Sequence, residues 1–286
     1  MIQSVTTPVL FDRSLLALRQ RRAAAAPETF LLERVAEDIE DRLAAVNRSF
    51  TAAADVWTPA AGLKPYLSGR LSQLAHIAAP ETADERLPLA AQSLDLALSA
   101  LAFQFVNDLP GLLVQIRRAL RPDGLLLAAM IGGDTLTELR QSFAAAEAEC
   151  EGGVSPRVAP FADLRDIGGL LQRAGFALPV TDLDRVVVRY ASAFGLMQDL
   201  RRMGATNSLV ERRRTPLRRA TLLRMAKIYA ERFADPDGRI RATFDIIWLS
   251  GWAPHESQQK PLKPGSATAS LEAAVKRNVQ GPSNVE

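Results

Sequence analysis

Three short polar runs in this 286-residue chain carry side chains that could do chemistry. Asn107 and Asp108 follow the apolar stretch 94–105, where a carboxamide and a carboxylate could orient a substrate group by charge-assisted hydrogen bonds. Asp108 also precedes Leu109-Pro110, so the same carboxylate can cap a helix starting there, and the two roles are compatible. Gly132-Gly133-Asp134 follows a second apolar stretch, 125–131, and offers a glycine turn ending in one carboxylate. His255-Glu256 supplies an imidazole beside a carboxylate. Joined by His76, that pair would make the two-histidine, one-carboxylate set of a non-haem iron site. Nothing in the sequence brings His76 near it, and a polar surface segment is the preferred reading, with no metal site.

These residues need elements to position them. Stretch 94–105 reads as a buried strand, 109–120 as the helix after it, Arg121-Pro122-Asp123-Gly124 as a turn and 125–131 as the next buried strand. A helix between two continuous apolar strands is a βαβ unit, and its strands' carboxyl ends are where open α/β sheets bind ligands. Asn107, Asp108, Gly132, Gly133 and Asp134 would then border one acidic or polar cleft. Upstream, Phe30, Leu31, Val35, Ile39, Leu43 and Val46 recur at helical spacing across 27–46, and 50–56 is taken as a first strand. Thr135 and Glu138 have the spacing of a capping box on the helix that follows. Beyond it we expect a helix over 161–174 stopped by Gly175, a strand over 185–190, a helical insertion over 191–236 and a last strand over 241–252. The expected domains are an N-terminal arm, 1–26, a main domain, 27–253, and a tail, 254–286, disordered beyond about 270.

Composition narrows the class. Hydrophobic residues make up 48% of the chain, enough for one large core, and the run 125–131 is too short to cross a bilayer. A single cysteine, Cys150, excludes an intramolecular disulfide, and two histidines argue against an all-protein zinc site. A reducing cytoplasm fits, with a peripheral place at an inner membrane allowed. Net charge is only +3, and the arginines at 19–22, 212–214 and 218–219 have no aromatic residues among them. They read as solvated helix faces rather than a grip on nucleic acid.

Further runs carry a resemblance. Phe11-Asp12-Arg13, Phe105-Val106-Asn107-Asp108-Leu109-Pro110 and Ile131-Gly132-Gly133-Asp134-Thr135-Leu136 are joined by Met203-Gly204-Ala205-Thr206-Asn207, His255-Glu256-Ser257-Gln258 and Gly265-Ser266-Ala267-Thr268. Together they resemble the methyltransferase-like assembly factors of respiratory complex I, a family similar in turn to malonyl-carrier-protein O-methyltransferase. The resemblance implies a class I methyltransferase (Rossmann-like) sheet of the α/β class. It also implies a protein substrate, an iron–sulfur subunit of complex I, and hydroxylation of one of its arginines, which Asn107, Asp108 or Asp134 could hold. It implies that 254–268 packs as structure although its composition is that of a linker. With Phe11-Asp12-Arg13 so near Met1, a bacterial cytoplasmic relative without a presequence is expected.

The chain departs from methyltransferases where they bind S-adenosylmethionine. A Gly-x-Gly-x-Gly loop lets backbone approach the methyl donor, because a Cβ there would occupy ligand space. The corresponding run here is Asp55-Val56-Trp57-Thr58-Pro59-Ala60-Ala61-Gly62, with Trp57, Pro59 and Ala61 at glycine positions. His76 stands where the acidic residue for the ribose is expected, leaving Asp55, Gly62, His76, Asp84 and Glu85 as a degenerate cofactor set. The interval from Gly62 to Asp95 is also short, so the sheet should be trimmed in its first half. S-adenosylmethionine is therefore disfavoured. A methyltransferase with a remodelled loop and a non-catalytic scaffold are the alternatives.

Overall fold

The apolar stretches become the middle of one sheet. A computed structural model describes residues 8–259; the chain divides after Pro254, and only 255–259 of its second unit are described. The strands are β1 (Ala53–Val56), β2 (Leu74–Ile77), β3 (Leu94–Ala100), β4 (Leu120–Gly132), β5 (Ala177–Tyr190) and β6 (Ile240–Trp252), in the spatial order β2-β1-β3-β4-β6-β5. The first four in that order are parallel, while β6 runs antiparallel to both β4 and β5. Between Gly62 and Asp95 there is one strand, β2, which is the trimmed first half.

Both faces of the sheet are covered, so the central strands are apolar without alternation. Leu126, Ala128 and Met130 of β4 pack with Leu112, Leu113 and Ile116 of α4 (Leu109–Ala119) and with Ile167 and Leu171 of α6 (Leu164–Arg173). Leu125, Leu127 and Ala129 face the other way, onto Leu32, Val35, Ile39 and Leu43 of α2 (Phe30–Ala45) and Leu67 of α3 (Lys64–Leu67). The helical spacing read over 27–46 is this buried stripe, each large side chain contributing about 1.5–3 kcal/mol by leaving water. A third core joins α5 (Thr137–Glu151), α7 (Ala193–Arg202) and α8 (Arg219–Phe233) to Tyr190, Ile240 and Phe244 at the ends of β5 and β6. Helices α7 and α8 are the insertion expected over 191–236. The arm carries α1 (Arg13–Ala23); ahead of that helix the Asp12 N–H donates to Ser208 O, and the Val210 N–H donates to Leu10 O.

Four local expectations need correction. The strand read over 94–105 ends at Ala100, because Leu101 turns to φ 53° and a 3-10 turn follows over Phe103–Phe105. Apolar composition cannot mark that exit, since Phe103 is as buried as the strand. The turn at 121–124 is absorbed into β4 as a bulge: Leu120 pairs with Leu94 and Leu125 with Leu96. The capping box does not form. Helix α5 has Leu136 at its N-cap with φ 54°, Thr135 Oγ1 donates to Gly132 O, and Glu138 accepts the Thr243 hydroxyl at 2.5 Å. Finally, β5 begins at Ala177 rather than 185. Its first half, with Pro179, Thr181, Asp182 and Asp184, has no apolar run, and it is held by pairing with β6 from Ala177↔Trp252 onward.

Candidate functional site

The loop after β1 is closed on itself. Asp55 is fully buried; its Oδ1 accepts the Thr58 hydroxyl, while Oδ2 accepts the Leu63 N–H at 2.9 Å and lies 3.0 Å from His76 Nδ1. Thr58 Oγ1 also accepts the Ala100 N–H at 2.9 Å, tying the loop to the end of β3. Gly62 has φ +70°, and a Cβ there would lie 2.5 Å from Asp55 Oδ2 and 2.6 Å from His76 Nδ1. Asp55, Gly62 and His76 thus meet as a packed cluster.

The hydrogen bond to Asp55 raises the His76 pKa above its ordinary 6.5, against the opposing effect of partial burial. A raised folded-state pKa means that this contribution to stability is complete below pH 6.5 and lost as pH rises through the raised value. The His76→Asn protein should therefore lose less stability than the parent over that rise. Urea unfolding at a series of pH values checks it, and equal losses in the two proteins would contradict it.

Trp57, at φ 65°, donates its N–H to Ile77 O at 2.8 Å and is 3% exposed, in the core with Phe103 and Val106. The Arg13 guanidinium lies 5.4 Å from the indole centroid. Arg13 donates to Phe105 O at 3.0 Å and Pro80 O at 3.3 Å, with Glu85 3.8 Å from its Nε. Burial pulls the guanidinium below its usual pKa, and Glu85 opposes that. Glu85 in turn accepts the backbone N–H groups of Asn107 at 3.0 Å and Asp108 at 2.9 Å. Asn107 Oδ1 accepts the Leu10 and Phe11 N–H groups, both at 2.8 Å, and Asp108 caps α4 through the Gly111 N–H. Asn107, Asp108, Asp84 and Glu85 are thus brought together around a small cavity of about 250 Å³. Asp84 itself pairs with exposed Arg86.

Asp134 stands apart from them. Arg185 Nη2 donates to Asp134 at 2.8 Å and to Asp245 Oδ2 at 2.8 Å, and its Nε donates to Asp245 Oδ1 at 2.7 Å. Burial disfavours ionised Asp245, but Arg185 and the Asp134 N–H outweigh it and hold the carboxyl below its usual range. Gly133, at φ +55°, leaves room for that carboxylate: a Cβ would meet Asp245 Oδ2 at 2.5 Å. An arginine is indeed bound at Asp134, but it is the chain's own. The sequence signal for this trio was the lone acid inside the apolar run 241–252. In the second unit, His255 Nδ1 lies 2.7 Å from Ser257 Oγ. The Gly265–Thr268 run of the resemblance, and the expected disorder beyond 270, lie outside the described residues. Among the described residues no group of three or more His, Cys, Asp or Glu could hold a metal ion.

The large cavity is elsewhere. About 500 Å³ opens at the carboxyl ends of β1, β3 and β4, bordered by Pro59, Ala60, Leu101, Gln104 and Ile131 and by residues of α1, α2, α5 and α7. Apolar side chains make its floor, whereas six arginines and a single acid, Glu28, lie around it. The acidic or polar cleft expected from sequence is a different place: Asn107 and Asp108 border the small cavity, and Asp134 is tied to Arg185. Arg19, Arg212 and Arg213, read from sequence as solvated, converge here because the 203–213 loop folds back over α1.

Comparison with known proteins decides what this frame is. A methyltransferase-domain family profile matches residues 60–128. Over 285 residues the chain is 40% identical to the human mitochondrial arginine-hydroxylase NDUFAF5, covering 92% of this chain and 82% of that protein. The chain belongs to the NDUFAF5 arginine-hydroxylase family. The zebrafish NDUFAF5 is 38% identical over 92% of this chain and 88% of its own length. A malonyl-[acyl-carrier protein] O-methyltransferase of Laribacter hongkongensis is 39% identical over 69% of this chain and 64% of that protein. The crystal structure of Bacillus subtilis YcgJ superposes with a TM-score of 0.51 at 12% identity, over 77% of this chain and 99% of that one, and supports the fold alone. This NDUFAF5-family chain therefore has the methyltransferase frame, with the closed loop after β1 and an arginine-bordered cavity beside it. No helix among its described residues is long and apolar enough to cross a membrane.

Proposed function

We propose that this chain acts in the assembly of respiratory complex I, hydroxylating an arginine of an iron–sulfur subunit before that subunit is incorporated. The observation that carries the reading is 40% identity to a named arginine hydroxylase along 92% of the chain, through both the sheet and the helical insertion. In a methyltransferase this fold binds S-adenosylmethionine, but the residues present here do not fit it. Trp57 and Arg13 are packed together beside the loop, Asp55 is spent on Thr58, Leu63 and His76, and the space at Gly62 is already filled. A scaffold role draws support from the internal use of Asn107, Asp108 and Asp134.

Deleting the gene in its own organism should lower complex I activity, and mass spectrometry of the isolated subunit separates the readings. Loss of an arginine heavier by one oxygen atom supports hydroxylation; impaired assembly with that mark unchanged supports a scaffold. Normal complex I in a deletion strain with no paralogue rules out the partner.

A further inference from the structure

The cavity at the sheet's carboxyl edge holds more positive charge than the protein neutralises. Four of its six arginines have carboxylate partners: Arg157 with Glu147, Arg202 with Glu28, Arg212 with Asp12 and Arg213 with Glu151. Arg19 has no carboxylate within ion-pair reach among the described residues and donates to the carbonyls of Thr206 and Asn207. Arg201, near the end of α7, has a side chain with no partner among the described residues. Burial first, then the neighbouring Arg212 and Arg22, push the Arg19 guanidinium below its usual pKa, with Asp12 only partly opposing them. Ser208 lines the same cavity, is 2% exposed, and its hydroxyl makes no hydrogen bond. A buried hydroxyl without a partner is costly and uncommon, so it marks a place for a ligand group.

Beneath these groups the lining is apolar, with Leu31, Leu101, Ile131, Phe143 and Phe244 among the side chains. A cavity of about 500 Å³ lies in the range that encloses a small organic ligand. We infer that this cavity binds an apolar carboxylic acid, its carboxylate held between Arg19 and Arg201 with the Ser208 hydroxyl donating to it, and its hydrocarbon body on the apolar floor. A guanidinium fork suits a planar carboxylate. Two cations, one of them already shared with two carbonyls, match a monoanion better than a phosphate dianion. The same charges repel a free guanidinium, so the cavity is not where an arginine side chain would enter. The inference stands independently of the arginine-hydroxylase reading.

Isothermal titration of the full chain with decanoate, below its micelle-forming concentration, tests this directly. Decanol and decylammonium serve as probes of equal length without the negative charge. Decanoate should bind at one site per chain, at least about tenfold tighter than decanol, with no binding of decylammonium; tenfold is the size of one good charge-assisted contact. Arg201→Gln should weaken decanoate by about tenfold and leave decanol unchanged, and its thermal melt should match the parent's because the side chain holds nothing else. Ala159→Phe, which projects into the cavity, should abolish binding of both. Equal affinity for decanoate and decanol, binding of decylammonium, an undiminished site in Ala159→Phe, or no decanoate binding at all would each overturn the inference. So would Arg201→Gln with unchanged decanoate affinity. None of these outcomes bears on complex I in the deletion strain, so the two proposals fail separately.

Discussion

Glu85→Ala should cost the fold about 3–5 kcal/mol, the range for removing one partner of a buried ion pair. Arg13 and Glu85 have side chains only 3% and 6% exposed, so water cannot replace the lost carboxylate. The Asn107 and Asp108 N–H groups lose their acceptors as well, and with Asn107 displaced the arm at Leu10 and Phe11 loses its anchor. Urea unfolding measures the loss, provided the m-value is unchanged. Adding Arg13→Met to Glu85→Ala should recover part of it, since the charge left stranded is then removed; a methionine has the reach to cover the Trp57 indole. A loss below about 1 kcal/mol would mean that Arg13 reaches solvent when Glu85 is gone.

Gly62→Ala should be the other severe substitution, at about 2–5 kcal/mol. About 1–2 kcal/mol comes from holding a Cβ at positive φ. A further 1–3 kcal/mol, roughly, comes from overpacking against Asp55 and His76. Adding S-adenosylmethionine should leave the difference between parent and variant unchanged. If the parent alone were stabilised by it, Gly62 would be a ligand contact and the closed-loop reading would fail.

Gly62 also shows how far the sequence could be read. Its retention among lost glycines looked like a remnant of cofactor binding, whereas the structure explains it by the room that Asp55 and His76 need. The central strands and the helices over them were legible because burial on both faces leaves continuous apolar runs and a helical stripe. Asp55, His76 and Gly62, read from sequence as parts of one cofactor set, do meet, but in a hydrogen-bonded cluster, and Glu85 of that same set joins Asn107 and Asp108 instead, a grouping the sequence did not suggest. Arg13 belongs to such a cluster through Phe105, Pro80 and Glu85, and no local pattern reveals it. Arg19, Arg212 and Arg213 were misread for the same reason: a cationic run looks solvated until a segment from elsewhere folds against it. The first half of β5 was invisible because an edge strand is specified by the neighbour it pairs with more than by its own residues.

Helix α5 has a consequence for the order in which the molecule can form. A self-capped helix can set its first turn as soon as its own residues are available, whereas α5 borrows its lock from β6. Glu138 is satisfied by Thr243, the Leu136 N–H donates to Thr243 O, and Thr135 accepts the Asp245 N–H across 110 residues of sequence. A nascent chain interrupted within α8 therefore has a β4 edge without its antiparallel neighbour and an α5 whose first turn is still open. Closing the sheet and fastening the helix both require β6, and contacts of such long range are the slow ones in folding. Until then the apolar edge of β4 is exposed to pairing with other chains, so this protein depends on completing its synthesis more than its well-patterned first half would indicate.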